Sequence, residues 1–319
     1  MPAGPDRSGP PPAGDEPAIR TLEMTKHYGQ AIALSGLTME VPRGEVFGFL
    51  GPNGSGKTTA VKLLLGLTRP TGGEAWVLGR RAGDRETRRA VGYLPELFRY
   101  QGWLSGAEVL ALHCRLAGLE RPGWPEQISR ALATVGLADH ASARVATFSK
   151  GMQQRLGLGV ALLGAPELVI LDEPTSALDP VGRADTREII RHLRDRGCAV
   201  FLNSHLLGEV EQVCDRVAVV SNGRVLATGS LDELLGRGGV RLRVAGVGET
   251  ARAALARRGR VDEHDGWITV EGIAADAVPD LVSELVAAGA RVYAVEPVRQ
   301  TLEERFLALL GADEARWRR

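Results

Sequence analysis

Eight residues carry the clearest chemistry of this chain: Gly51, Pro52, Asn53, Gly54, Ser55, Gly56, Lys57 and Thr58. They fit G-x-x-x-x-G-K-[ST], a loop whose glycines let backbone N–H groups turn inward around a phosphate without Cβ clashes. The apolar stretch Val46 to Leu50 runs into the loop, and the helix-forming stretch Thr59 to Leu65 leaves it. Strand, glycine loop and helix therefore stand in the order this chemistry needs, and the helix N-terminus adds partial positive charge. Lys57 is placed to reach the β- and γ-phosphates of a nucleotide, and the Thr58 hydroxyl to ligate Mg²⁺. The chain has only four lysines, Lys26, Lys57, Lys62 and Lys150, so composition alone does not supply one here.

A second group lies far downstream. Leu168 to Leu171 is a continuous apolar run, as a strand buried on both faces requires. It ends in Asp172, a carboxylate suited to hold the Mg²⁺ water shell beside Thr58. Glu173 points differently from its neighbour and can polarise an attacking water as general base. His205 follows another apolar run through Asn203-Ser204, where a neutral imidazole can hold water and γ-phosphate in line. His27, His113, His140, His192 and His264 lack such a context and read as structural or solvated. Ser149, Lys150, Gly151 and Met152 open a further helix. A serine there can cap the helix or present a second anion site. Across a helical insertion it would serve a partner's nucleotide, which predicts a head-to-tail dimer with the nucleotide sandwiched between subunits.

The elements that position these groups read as an α/β chain. Strands are expected at Ile19–Met24, Ile32–Leu34, Leu37–Val41, Glu74–Leu78 and Val91–Leu94, with Lys26 to Gly29 as a polar turn and Arg85 to Arg89 as a charged helix. From about 97 to 147 the pattern turns helical: Ser105 and Glu108 form a capping box, and Pro125 to Val135 a second helix stopped by Gly136. Helix Val181–Arg194, strand Ala199–Leu202 and a hairpin through Asn222-Gly223 follow, and Leu231 to Leu235 closes this part. After the glycines at 236, 238 and 239, the order β-α-β-β-α-β over about 240–319 predicts a small ferredoxin-like α+β domain with Asp265-Gly266 as its central turn. Residues 1–17, rich in Pro and Gly, read as a disordered leader without a signal peptide. Formal net charge is zero, with 44% hydrophobic and 24% charged residues. This argues for no nucleic-acid partner, although Arg316 to Arg319 forms a local basic tail. Three scattered cysteines, Cys114, Cys198 and Cys214, suggest neither a metal site nor a disulfide framework. No apolar stretch is long enough to span a membrane.

Taken in order, these motifs resemble the ATP-binding subunit of an ABC transporter, over roughly residues 18–235. The resemblance implies a P-loop NTPase of ABC type, a RecA-like core with an antiparallel β subdomain and a helical insertion at about 97–147. It implies ATP held by Tyr28, stacked on adenine, and by Gly51 to Thr58 with Thr59. Glu173 and His205 would be catalytic, Ser149 to Met152 the signature, Ser176 to Asp179 the D-loop with Asp179, and Thr58, Asp172 and Glu96 the Mg²⁺ set. Two positions depart from the family pattern. Glu96 stands where a glutamine is usual, and Lys150 replaces the first signature glycine. The Gly92-Tyr93-Leu94-Pro95-Glu96 form, the Ser-Lys-Gly-Met signature and the tail Thr301 to Phe306 look like the ABC-2 type exporter class of drug, sodium and copper-maturation systems. The implied assembly is a homodimer or heterodimer on a separate multi-span permease, cytoplasmic and peripheral on the inner face of the cell membrane. An alternative is a non-transport ABC ATPase of translation or DNA repair. The single cassette, with only about ninety residues between Lys57 and Ser149, argues against it.

Overall fold

Two long strands open the chain, which this computed structural model describes over residues 16–317 apart from 177, 237 and 299. They are Ile19–Tyr28 (β1) and Ala31–Val41 (β2), followed by Val46–Leu50 (β3), Lys57–Leu64 (α1), Gly72–Val77 (β4) and the short Arg80–Arg81 (β5). β1 pairs antiparallel with both β2 and β4, giving a sheet of order β2-β1-β4-β5. The expected polar turn at 26–29 is mostly strand. β1 runs on through Tyr28, because His27 and Tyr28 pair with Ile32 and Ala31. β2 is one strand rather than two; Ser35-Gly36 sits inside it beside register shifts in its partner, with the Gly36 N–H donating to the Thr25 hydroxyl at 3.1 Å.

Val91–Leu94 (β6) begins after a single 3₁₀ turn, Thr87–Ala90, where a charged helix was expected. Asp84 accepts from the backbone of Glu86 and Thr87, and the chain enters β6 before an α-helix can nucleate. Gly106–Leu116 (α2) carries the expected capping box, Ser105 with Glu108, and Trp124–Thr134 (α3) follows. Lys150–Ala161 (α4), Leu168–Asp172 (β7), Pro180–Asp195 (α5), Ala199–Asn203 (β8), Leu207–Val213 (α6), Arg216–Ser221 (β9) and Arg224–Ser230 (β10) complete the sheet order β10-β9-β3-β8-β7-β6. Pairing is parallel from β9 through β6. β3, β7 and β8 are buried along their whole lengths, as their unbroken apolar runs require. At the centre Phe201 stacks on Phe47 and meets Phe49 at a tilt, with ring centroids 6.1 and 5.2 Å apart respectively.

The chain divides into two compact units between Thr228 and Gly229. The second contains Leu231–Leu235 (α7), Gly239–Ala245 (β11), Glu249–Arg258 (α8), Arg260–His264 (β12), Trp267–Glu271 (β13), Val278–Ala287 (α9), Arg291–Val298 (β14) and Leu302–Trp317 (α10). Its antiparallel sheet has the order β12-β13-β11-β14, the ferredoxin-like arrangement. Asp265 and Gly266 both have positive φ, as a two-residue hairpin turn demands. Val240, Leu242, Val270, Leu255, Leu281 and Leu285 make a core of its own. The leader read over 1–17 lies outside the described residues except for Glu16 and Pro17, as do Arg318 and Arg319 of the basic tail.

Candidate functional site

The loop after β3 ends on Gly56, the N-cap of α1, at φ 99°. Only glycine adopts that backbone without strain, and a Cβ there would stand 2.3 Å from the Ala33 carbonyl oxygen. A Cβ at Gly51 would stand 2.4 Å from both the Ser55 hydroxyl and the Val220 carbonyl. No side chain caps α1, so its first N–H groups are offered to an anion. Pro52, Asn53, Gly54 and Thr58 are exposed, Thr59 is half-buried and Lys57 is buried. The Lys57 ammonium donates to the carbonyls of Gly51 at 2.7 Å and Pro52 at 3.1 Å. The Ser55 hydroxyl is buried without a hydrogen-bond partner, an orphaned polar atom inside the cradle.

Sheet order brings the other groups to the same end. β8 lies between β3 and β7, so the loop after β3, His205 after β8, and Asp172 and Glu173 at the end of β7 meet at the carboxyl edge of a parallel sheet. The register sets Asp172 opposite Asn203, whose side-chain amide donates to Asp172 Oδ1 at 2.5 Å. Asn203 is 2% exposed and had no assigned role in the sequence; its one signal is a polar residue closing an apolar strand. Glu173 is buried with φ 55°, a strained backbone for a residue with a Cβ, and its N–H donates to the Asn203 carbonyl at 2.9 Å. Its Oε2 lies 2.8 Å from His205 Nδ1, close in distance though outside hydrogen-bond geometry. Glu96 comes two residues after Leu94, which pairs with Leu171, so it emerges beside Asp172 and Glu173, and its side chain is exposed.

These charges act on one another. Burial lowers the pKa of Lys57, against the pull of Glu173, Asp172 and Glu96. Burial raises that of Asp172; Glu96 and Glu173 push the same way, while Asn203 and Lys57 oppose. Burial disfavours the charged form of both groups, and a phosphate beside Lys57 and a cation beside Asp172 would offset that. Among the described residues no group of three or more His, Cys, Asp or Glu side chains forms a self-sufficient metal site. Mg²⁺ held by one or two protein oxygens and by phosphates needs none. The Thr58 hydroxyl and the Asp172 carboxylate are hard oxygen donors, and burial makes the Asp172 charge costly without a cation, so the residues fit that metal.

The remaining sequence candidates stand apart from this cluster. Ser149 caps α4, accepting from the Met152 N–H at 3.2 Å, with Lys150 exposed and Gly151 and Met152 half-buried. Among the described residues no hydrogen bond or ion pair joins Ser149, Lys150, Gly151 or Met152 to the loop. Asp179 caps α5, accepting from the Gly182 N–H at 2.7 Å; Ala177 of the same stretch lies outside the described residues. Tyr28 is 49% exposed at the end of β1, its ring centroid 5.0 Å from the Lys26 ammonium. Gln154, also without a role in the sequence, is buried and donates to the Pro174 carbonyl at 3.0 Å, tying α4 to the segment after Glu173.

The ABC transporter family model matches residues 34–176. An uncharacterized ABC transporter ATP-binding protein of Nostoc sp. is 41% identical over 87% of this chain and 83% of its own length. The bacitracin transport ATP-binding protein BcrA of Bacillus licheniformis is 33% identical over 92% of this chain and 97% of its own. A solved structure of an ATP-binding subunit of an ABC transporter superposes with TM-score 0.63 at 32% identity, covering 68% of this chain and 91% of that one. ABC ATP-binding subunits bind and hydrolyse ATP, dimerise and work with membrane permeases. Fold, phosphate loop and relatives agree: this chain belongs to the ABC transporter family, as an ATP-binding and ATP-hydrolysing subunit.

Proposed function

We propose that the chain energises an export permease carried by a separate multi-span polypeptide, from the cytoplasmic face of the cell membrane. Among the described residues no helix is long and apolar enough to cross a membrane. The likeness to the bacitracin transport ATP-binding protein of Bacillus licheniformis supports a role in transport. ATP is sandwiched between Gly51 to Thr58 of one subunit and Ser149 to Met152 of a second copy or a related subunit, with Tyr28 against the adenine. Asp179 lies on the same dimer seam.

Lys57 and the α1 N-terminus hold the β- and γ-phosphates. Thr58 and Asp172 hold Mg²⁺, which when bound neutralises phosphate charge. Glu173 takes a proton from the water that attacks the γ-phosphorus, and His205 keeps that water in line. The bond to the β–γ bridging oxygen breaks, releasing ADP and phosphate, and the dimer opens to reset the permease.

The observation that carries the hydrolytic reading is the buried, positive-φ Glu173 with its carboxylate 2.8 Å from His205. Substitution Glu173→Gln tests it. General-base loss lowers turnover by ~10²–10⁴-fold, while ATP still binds and traps a dimer visible by size-exclusion chromatography. A variant that hydrolyses ATP as fast as the parent sinks the assignment.

A further inference from the structure

Three carboxylates, Asp172, Glu173 and Glu96, act on the single ammonium of Lys57. Two of them have local partners. Asp172 accepts from Asn203, and Glu173 lies against His205. Among the described residues Glu96 makes no hydrogen bond or ion pair, and its charge is felt at Lys57, Asp172 and Tyr93. Its place is set by the backbone: β6 and β7 are in register at Leu94 and Leu171, so Glu96 emerges beside the end of β7.

A nucleoside triphosphate brings several more negative charges into this cluster. Lys57 is already outnumbered, so metal-free nucleotide meets net repulsion at the carboxylate side of the cradle. A divalent cation between phosphate and carboxylates converts the same charges into attraction. We infer that Glu96 makes this nucleotide site discriminate for metal-bound and against metal-free ATP, a selectivity that a neutral side chain at that position would lack. The inference rests on the nucleotide-site reading above and adds a role for one residue within it. Glu96 is exposed, so solvent screens its charge and the effect is modest.

The test is equilibrium binding of a non-hydrolysable ATP analogue, in Mg²⁺ and in EDTA at matched ionic strength. The full-length parent, Glu96→Gln and Glu96→Asp are compared. The parent binds more tightly with Mg²⁺. Glu96→Gln narrows the ratio of the two dissociation constants about threefold, or ~0.6 kcal/mol, chiefly by tightening metal-free binding. Glu96→Asp keeps the charge and retains most of the parent's ratio. An unchanged ratio in Glu96→Gln, or equal narrowing in both variants, overturns the inference. A parent that binds no analogue even in Mg²⁺ overturns the nucleotide-site reading instead.

Discussion

Asn203 shows how one buried amide tunes the chemistry beside it. Its donation to Asp172 Oδ1 favours the ionised carboxylate, against burial, which raises the Asp172 pKa. In the role proposed for Asp172, holding the cation needs the ionised form, so activity is expected to be lost as pH falls through that pKa. Removing the donor raises the pKa further and moves the acid limb to higher pH. Asn203→Leu keeps the branched shape and deletes the amide. A hydrogen bond to a charged group contributes ~1.5 kcal/mol or more, so ATPase rate at the acid end should fall ~10-fold and recover toward the parent's as pH rises. A pH–rate profile at saturating ATP and Mg²⁺ checks this, and a coincident acid limb would sink it. Lys57, Asp172 and Glu173 could be singled out as candidates from spacing alone. Asn203 could not, because an asparagine after an apolar run also reads as a turn residue, and only the β7–β8 register reveals its partner.

Elements add a second level of positioning. α5 starts at the Asp179 cap, shortly after Glu173, and α6 starts two residues after His205. Arg187 of α5 and Glu209 of α6 form a 2.6 Å ion pair with side chains only 19% and 16% exposed. The pair therefore holds together the helices that follow the candidate base and the candidate histidine. Arg187→Ala leaves Glu209 largely buried and unpaired, at a cost of about 2 kcal/mol, below the range for fully buried pairs because some solvent reaches it. We expect a lower denaturation midpoint, and a kcat reduced ~10-fold with KM for ATP little changed, since the phosphate loop is untouched. The charge swap Arg187→Glu with Glu209→Arg should recover part of both. Unaltered kcat at full folding would show that the pair only stabilises. Local signals were readable at this scale, including the Ser105–Glu108 capping box and the Asn222-Gly223 hairpin. The charged run 85–89 was misread because Asp84 spends its carboxylate on the backbone and β6 starts too soon for an α-helix.

At the scale of the molecule, each unit has its own core. Phe47, Phe49, Phe201 and Ile170 lie in the first, and Leu242, Val270, Leu281 and Leu285 in the second. The ferredoxin-like order was legible because its turns and periodicity are local. The division between units fell before α7, whose contact with α10 near the end of the chain has no local signature. Every candidate site residue lies between Tyr28 and His205, within the first unit. A chain ending at Ser230 keeps all of β10 and the complete six-stranded sheet. It keeps every candidate site residue, and its stability rests on a core to which the second unit's cluster does not belong. We expect it to bind ATP with a Kd within ~3-fold of the full chain, about 0.6 kcal/mol, and to unfold in one transition where the full chain shows two. Calorimetric binding and scanning calorimetry check both statements. Loss of ATP binding by a truncated chain with native far-UV circular dichroism would show that the second unit shapes the nucleotide site.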